Sequence, residues 1–279
     1  MKNKEKYEIL VNSLIDYIQQ NLTTDITLSE LSERVHFSKY HLHRIFKEYT
    51  GETLKKYIRR LRMESSVNMM MQEDKSLSEI AVENGYSWIS NFSRTFRKYF
   101  KIPPRNLKQL ICKEYGQLKF IETGIKSIEI KQTEDIFYRY KRFFMDYRVL
   151  SKLIQKDGIC EKCDEACPEA FGIIYDNPQV TPADKCRFDL CFIKNSGNSE
   201  CTFKDIYKSG STDKILKRGM FACFDFCGNY EKLIKAYEWV FLIWPLQKRV
   251  KLKNAPVYEF YRKSKDQKHY IEIRVPIEV

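Results

Sequence analysis

Nowhere in the 279 residues does an apolar run approach the roughly eighteen that would cross a bilayer. The N-terminus, MKNKEKYEILVNSLIDYI, puts lysines ahead of apolar residues as a secretory signal would, but Glu5, Glu8, Asn12 and Asp16 interrupt any such core. The expectation is a cytoplasmic chain with no membrane partner. Acid is missing from one long stretch, with no Asp or Glu from Asn84 through Lys113. Histidine is scarce: His36, His41, His43 and His269 are the only four, and none forms a spaced metal motif or a Cys-His pair. Of nine cysteines only Cys112 precedes residue 159. In a reducing compartment such thiols are buried or, where closely spaced, metal ligands, and disulfides are not expected.

What is present is base. The formal charge is +12 and the pI about 9.1, a balance suited to a polyanionic partner. With 43% hydrophobic residues the chain is globular, and its length accommodates two domains.

The organising feature is an internal repeat. Leu28, Ser29, Glu30, Leu31 and Ser38 match Leu77, Ser78, Glu79, Ile80 and Ser87, forty-nine residues later. After one extra residue in the second copy, Leu42, Arg44, Phe46 and Tyr49 match Phe92, Arg94, Phe96 and Tyr99. Each copy reads as two short helices. The first has Ser29 or Ser78 near its N-terminus with acids in its first turn, and it ends where His36 or Gly85 takes a positive φ. Ser38 and Ser87 are the expected caps of the second helix, whose apolar stripe is Leu42, Ile45, Phe46 and Tyr49, or Phe92, Phe96, Tyr99 and Phe100.

Two helix-turn-helix units follow, and such a unit offers DNA the outer face of its second helix. Those faces carry Lys39, Tyr40, His43, Arg44 and Lys47, then Trp88, Ile89, Ser90, Asn91, Arg94, Arg97 and Lys98. The bland alternative is helical packing with solvated lysines. Between the units, Thr53 to Glu73 has Leu54, Ile58, Leu61, Met69 and Met70 at helical intervals. That makes a strut of roughly 30 Å, near the spacing of about 34 Å between adjacent major grooves.

At these residues a resemblance enters. Ile9 to Leu107 resembles the DNA-binding domain of the AraC/XylS family of transcription regulators. The motifs are Gly85 and Tyr86 in the turn, FSRTF in the last helix, and Pro103 and Pro104 after it, within GYSWISNFSRTFRKYFKIPPRNLK. The resemblance implies that Tyr40, His43 and Arg44, and Ile89, Ser90, Asn91 and Arg94, touch bases or backbone. Trp88 and Ile89 are bulkier than the small polar residues the family leads one to expect.

Tyr7 to Leu22 reads as an amphipathic helix packing on the first unit. Arg105 to Leu110 adds at most a last turn after the prolines, and Lys113 to Lys126, with two glycines and no periodicity, reads as linker. Beyond it the pattern predicts strands at 127–131, 136–140, 171–175, 188–193, 220–226, 257–261 and 269–277, with helices at 147–155 and 230–244. A second repeat links Tyr147 to Tyr230 and Asp189 to Glu272, each 83 residues apart. The fold expected is an all-α domain over residues 1–112, a linker over 113–126, and an α+β domain of two β-α-β-β halves over 127–279.

The second half resembles the GyrI-like effector-binding domain, through GNYEKL at Gly228 to Leu233, Trp239 and Trp244 with Pro245, YDNPQVTPADKCRFDLC, and IEIRVPI. That resemblance implies a pocket for small molecules, often lipophilic cations, with the acid before the final strand's proline inside it, here Glu272. Tyr230, Trp239, Tyr258 and Tyr261 are placed around it, with Glu259 as a second acid. A carboxylate among aromatic rings is a receptor for cations, because an incoming cation relieves the cost of the buried charge and stacks on ring faces. The alternative is that these aromatics are core and Glu272 faces water.

Cys160, Cys163 and Cys167 have C-x2-C-x3-C spacing and could hold zinc or part of an iron-sulfur cluster with Cys186, or be free thiols. No cofactor is expected. The rival function is an enzyme: AraC-type units also occur fused to DNA-alkylation repair proteins, but the Pro-Cys-His-Arg site of those alkyltransferases is missing, and a small-molecule hydrolase is a further alternative. The expected function is a regulator that binds double-stranded DNA and a small effector, with RNA polymerase as a further partner, and is not an enzyme.

Overall fold

The computed structural model describes residues 2–72, 75–115, 118–149, 170–178, 180–194, 212–253, 255–262 and 269–278. Contacts divide the chain into two units, Met1–Glu114 and Tyr115–Val279.

The first unit is helical: α1 (Lys2–Gln20), α2 (Leu28–Arg34), α3 (Lys39–Thr50), α4 (Leu54–Gln72), α5 (Leu77–Glu83), α6 (Ile89–Phe100) and α7 (Pro104–Tyr115). Each helix buries one stripe, Val11, Leu14, Ile15 and Ile18 on α1, Leu42, Ile45 and Phe46 on α3, Phe92 and Phe96 on α6. α2 packs on α3 and α5 on α6, while α4 touches both α3 and α5. The positive φ expected between the helices occurs at both turns, +54° at His36 and +73° at Gly85.

The caps differ from expectation. Thr27, not Ser29, caps α2, and Ser76, not Ser78, caps α5 in a reciprocal box with Glu79. Ser38 does cap α3, accepting from the His41 N–H. Ser87 does not cap α6, because the extra residue of the second copy moves Trp88 into that place, where no side chain bonds the helix end.

α7 is twelve residues long rather than a single turn, since Pro104 stands at its first position where a missing N–H costs nothing. Most of the stretch expected as linker is therefore structured: α7 reaches Tyr115, Phe120–Glu122 form a 3-10 turn, and a strand begins at Ile125. Phe120 stacks edge-on against Trp239 at 5.1 Å between ring centroids.

The second unit contains β1 (Ile125–Thr133), β2 (Ile136–Phe144), β3 (Ala170–Ile174), β4 (Arg187–Ile193), β5 (Thr212–Leu216), β6 (Gly219–Gly228), β7 (Lys251–Leu252), β8 (Val257–Arg262) and β9 (His269–Glu278). A helix opens at Tyr147, and the rest of the span expected for it lies outside the described residues. After β6 come α8 (Tyr230–Glu238), a wider π turn at Trp239–Ile243, and α9 (Trp244–Lys248). One uninterrupted helix was expected there. Pro245 clashes with a carbonyl one turn back in a regular helix, and the chain widens just before it, the Trp244 N–H donating to Trp239 five residues earlier.

The strands pair antiparallel in the order β1-β6-β9-β8-β3-β4-β2-β5, with β7 on β9. This order reads alike from both ends, with β8 against β3 in the middle, where Val257 opposes Ile174. β5 and β7 were not foreseen. Alternation divides the side chains between two faces. Ile271, Ile273, Val275 and Ile277 join Leu233, Trp239 and Trp244 on the helix-bearing face, whereas Tyr138, Tyr140, Phe171, Phe221 and Tyr258 form a second cluster on the other.

Candidate functional site

The candidate side chains lie in two places, one in each unit. In the first, α3 and α6 bury their apolar stripes and turn the remaining residues outward. Lys39, Tyr40, Arg44 and Lys47 on α3, and Trp88, Ile89, Ser90, Asn91, Arg94, Arg97 and Lys98 at α6, are all exposed, and His43 is half-buried. Arg94 is oriented by a 3.0 Å bond to the Asn91 amide oxygen one turn earlier. No local sequence signal marks Arg62 on α4. Its guanidinium bonds the Leu22 carbonyl at 2.9 Å, Thr24 at 2.7 Å and Gly85 at 3.4 Å, tying the entry of the first hairpin to the turn of the second. A Cβ at Gly85 would lie 2.6 Å from its Cζ, so glycine there serves both the positive φ and this contact.

In the second unit the structure does not bring the six expected effector residues together. Glu272 and Tyr258 lie on one face of the sheet, and Tyr230, Trp239, Glu259 and Tyr261 on the other. The register makes the reason plain: Glu272 stands directly opposite Phe260 and Glu259 opposite Ile273, and directly opposed residues share a face.

Glu272 is moreover not a lone charge. Arg274 bonds it, Arg262 approaches to 3.0 Å and Lys131 to 3.4 Å. Burial alone would raise its carboxyl, but the bond from Arg274 and the charges of Arg274 and Lys131 bring it below the ordinary value. The reading of Glu272 as an unpaired receptor acid is corrected accordingly.

Glu259 has the surroundings that had been expected of Glu272. It is buried, and its two oxygens accept from hydroxyls, Tyr237 on α8 and Tyr261 at 2.8 Å. Burial pushes its carboxyl above the usual range, the two hydroxyl bonds offsetting only part of that rise. Tyr237 and Tyr261 are raised well above their ordinary value, first by burial and then by the Glu259 charge. Tyr230 is pushed up to about 12 by burial, with the nearby Asp146 charge adding. Gly172 on β3 leaves room for this arrangement, because a Cβ there would fall 2.3 Å from the Tyr261 hydroxyl. Tyr237 was missed, although its position seven residues after Tyr230 puts the two on one helix face.

The other buried acids among the described residues all have cationic partners: Glu64 with Arg60, Asp176 with Arg187, Asp189 with Arg142 and Glu272 with Arg274. Glu259 alone among them is satisfied by neutral donors.

Cys160, Cys163 and Cys167 lie outside the described residues. Cys186 is buried, its sulfur near the Thr181 and Pro182 carbonyls, and among the described residues no three His, Cys, Asp or Glu side chains come together as a metal site. No helix among the described residues is long and apolar enough to cross a membrane.

Residues 31–109 match a helix-turn-helix domain family and residues 150–278 the GyrI-like small molecule binding domain. The multiple antibiotic resistance protein MarA of Escherichia coli K12 is 31% identical over 121 residues, which span 43% of this chain and 94% of MarA. MarA of Salmonella typhimurium gives the same figures. The probable transcription factor PqrA of Proteus vulgaris is 30% identical over 104 residues, 37% of this chain and 85% of PqrA. With its duplicated hairpins and the sheet that follows them, the chain belongs to the AraC/XylS family of transcription regulators and carries a C-terminal GyrI-like domain.

Proposed function

We propose that this regulator sets α3 and α6 in successive major grooves of its operator and admits a lipophilic organic cation at Glu259, on the helix-bearing face of its C-terminal sheet. The DNA half rests on the two twelve-residue helices whose outward faces are basic and free of packing. Lys39, Lys47, Arg97 and Lys98 supply affinity through phosphates, while Tyr40, His43, Arg44, Ile89, Ser90, Asn91 and Arg94 meet base edges. α4, with 19 residues, spans about 28 Å and suits adjacent grooves on one side of a duplex. Affinity for a selected operator falls steeply as salt rises. Arg94→Ala weakens it, and an unchanged operator affinity in that variant would remove α6 as a reading head.

The effector half rests on Glu259. A buried carboxylate held only by tyrosine hydroxyls keeps an unmet demand for positive charge, and aromatic walls add attraction for a cation. Tyr230, Tyr237 and Tyr261 surround the acid on that face. We read the domain as two related β-α-β-β halves meeting at β3 and β8, in keeping with the symmetric strand order. Ligand occupancy would then alter how the regulator engages operator or RNA polymerase, a coupling that must appear equally in the ligand's affinity for the DNA-bound protein. Calorimetric titration with tetraphenylphosphonium tests the site: binding to the wild type that Glu259→Gln abolishes supports it, and equal binding by both excludes Glu259.

A further inference from the structure

α6 begins differently from α3. Where α3 has the capping Ser38, α6 has Trp88, which makes no capping bond and is 70% exposed. The next residue, Ile89, is 43% exposed. A single exposed apolar side chain needs no explanation, but here two adjoin at the N-terminal end of a helix that continues outward with Arg94, Arg97 and Lys98, inside a stretch without acid from Asn84 through Lys113. The N-terminal residues of a recognition helix are placed to meet base edges. The major-groove edges of the four base pairs carry hydrogen-bonding groups everywhere except at one apolar feature, the C5-methyl of thymine. Isoleucine and the hydrocarbon part of an indole can gain nothing from the donors and acceptors of guanine or cytosine, and would leave them dehydrated and unpaired.

We propose that the second hairpin reads thymine methyl groups, with Ile89 and Trp88 as the side chains that select them, so that the half-site under α6 contains thymine at one or two positions contacted without hydrogen bonds. This rests on the reading of α6 as a DNA-reading helix. α3 is different in kind, because Lys39 holds the place of Ile89, and its half-site carries no such dependence on that residue.

The test uses the full chain and duplexes selected from a random-sequence library. Each thymine of a selected duplex is replaced singly by uracil, which differs only by lacking the methyl, and affinities are compared by fluorescence anisotropy. The wild type should lose about four-fold per contacted methyl, the equivalent of one buried CH₂-sized group. In Ile89→Ser or Trp88→Ser that loss should vanish at the same positions. Trp88→Ser reinstates the cap found in α3, so a folded helix is retained and circular dichroism should show it. Uracil tolerated at every position, or a penalty that persists in both variants, overturns the inference while leaving α6 as a reading head. A wild type that selects no duplex over random DNA overturns the DNA-reading assignment itself.

Discussion

Glu259 and Glu272 are both buried glutamates on neighbouring strands of one sheet, yet they occupy opposite chemical environments. Glu272 has two arginines and a lysine around it, and Asp189, on the same face of the sheet, is bonded by a buried Arg142 with Tyr175 also donating. Glu259 has two phenols. On the first face charge is neutralised inside the fold. On the second the carboxyl meets only neutral hydroxyl donors. Burial makes an acid neither structural nor functional; the charge of what reaches it decides.

The largest effect that could break this comparison is on stability. Asp189→Ala removes the buried carboxylate that Arg142 bonds through two nitrogens and should cost about 3–5 kcal/mol, measured by chemical denaturation. A cost near zero would show that the paired face is not held by its ion pairs. Next in size is ligand affinity. Glu259→Gln should weaken binding of tetraphenylphosphonium by about thirty-fold or more, the loss typical of removing one member of a buried charged contact, whereas Glu272→Gln should stay within about two-fold, a surface-like change. Reversed results would return Glu272 to the site.

A smaller effect sharpens the contrast through pH. The Glu259 carboxyl is raised by folding, so the stability it contributes is fully present below the unfolded glutamate value and declines as pH rises from there through the folded value. Without ligand, Glu259→Gln should therefore gain on the wild type in melting temperature between pH 4 and pH 7. For Glu272, which is lowered, the sign is opposite and the window lies lower: its contribution is present above the unfolded glutamate value and lost as pH falls from there through the folded value, so Glu272→Gln should lose ground on the wild type as pH rises toward the unfolded value and hold a constant deficit above it. Parallel melting curves for the two variants would show that their environments do not differ as described. Gly172→Ala would put a Cβ 2.3 Å from the Tyr261 hydroxyl and 2.5 Å from the buried Phe188 ring, so it should lower melting temperature as well as reduce cation affinity by moving Tyr261 from Glu259.

The two hairpins were legible because their signals are local. Apolar residues at helical spacing, a glycine or histidine forced to positive φ, and a duplicated pattern specify the helices wherever they pack. Even there the caps slipped by two residues at Thr27 and Ser76, since Ser, Thr and Glu cluster at both starts and only the backbone geometry shows which side chain turns back. Trp88 rather than Ser87 stands at the start of α6, because one inserted residue shifts the second copy against the first. In the sheet, alternation along β9 sets Glu272 apart from Ile271, Ile273, Val275 and Ile277, but along β8 aromatic residues line both faces and alternation is silent. Arg62 could not have been singled out, as its partners are backbone carbonyls 23 to 40 residues away.

By itself the chain's order of residues determined two helical hairpins with basic outer faces, the helix between them and a sheet-rich second domain, because periodicity and turn chemistry act over a few residues. Which acid faces which tyrosine was decided only by tertiary structure. Strand register assigns a side chain to a face, and register is set by the pairing of β8 with β9 across a connection whose sequence does not specify it.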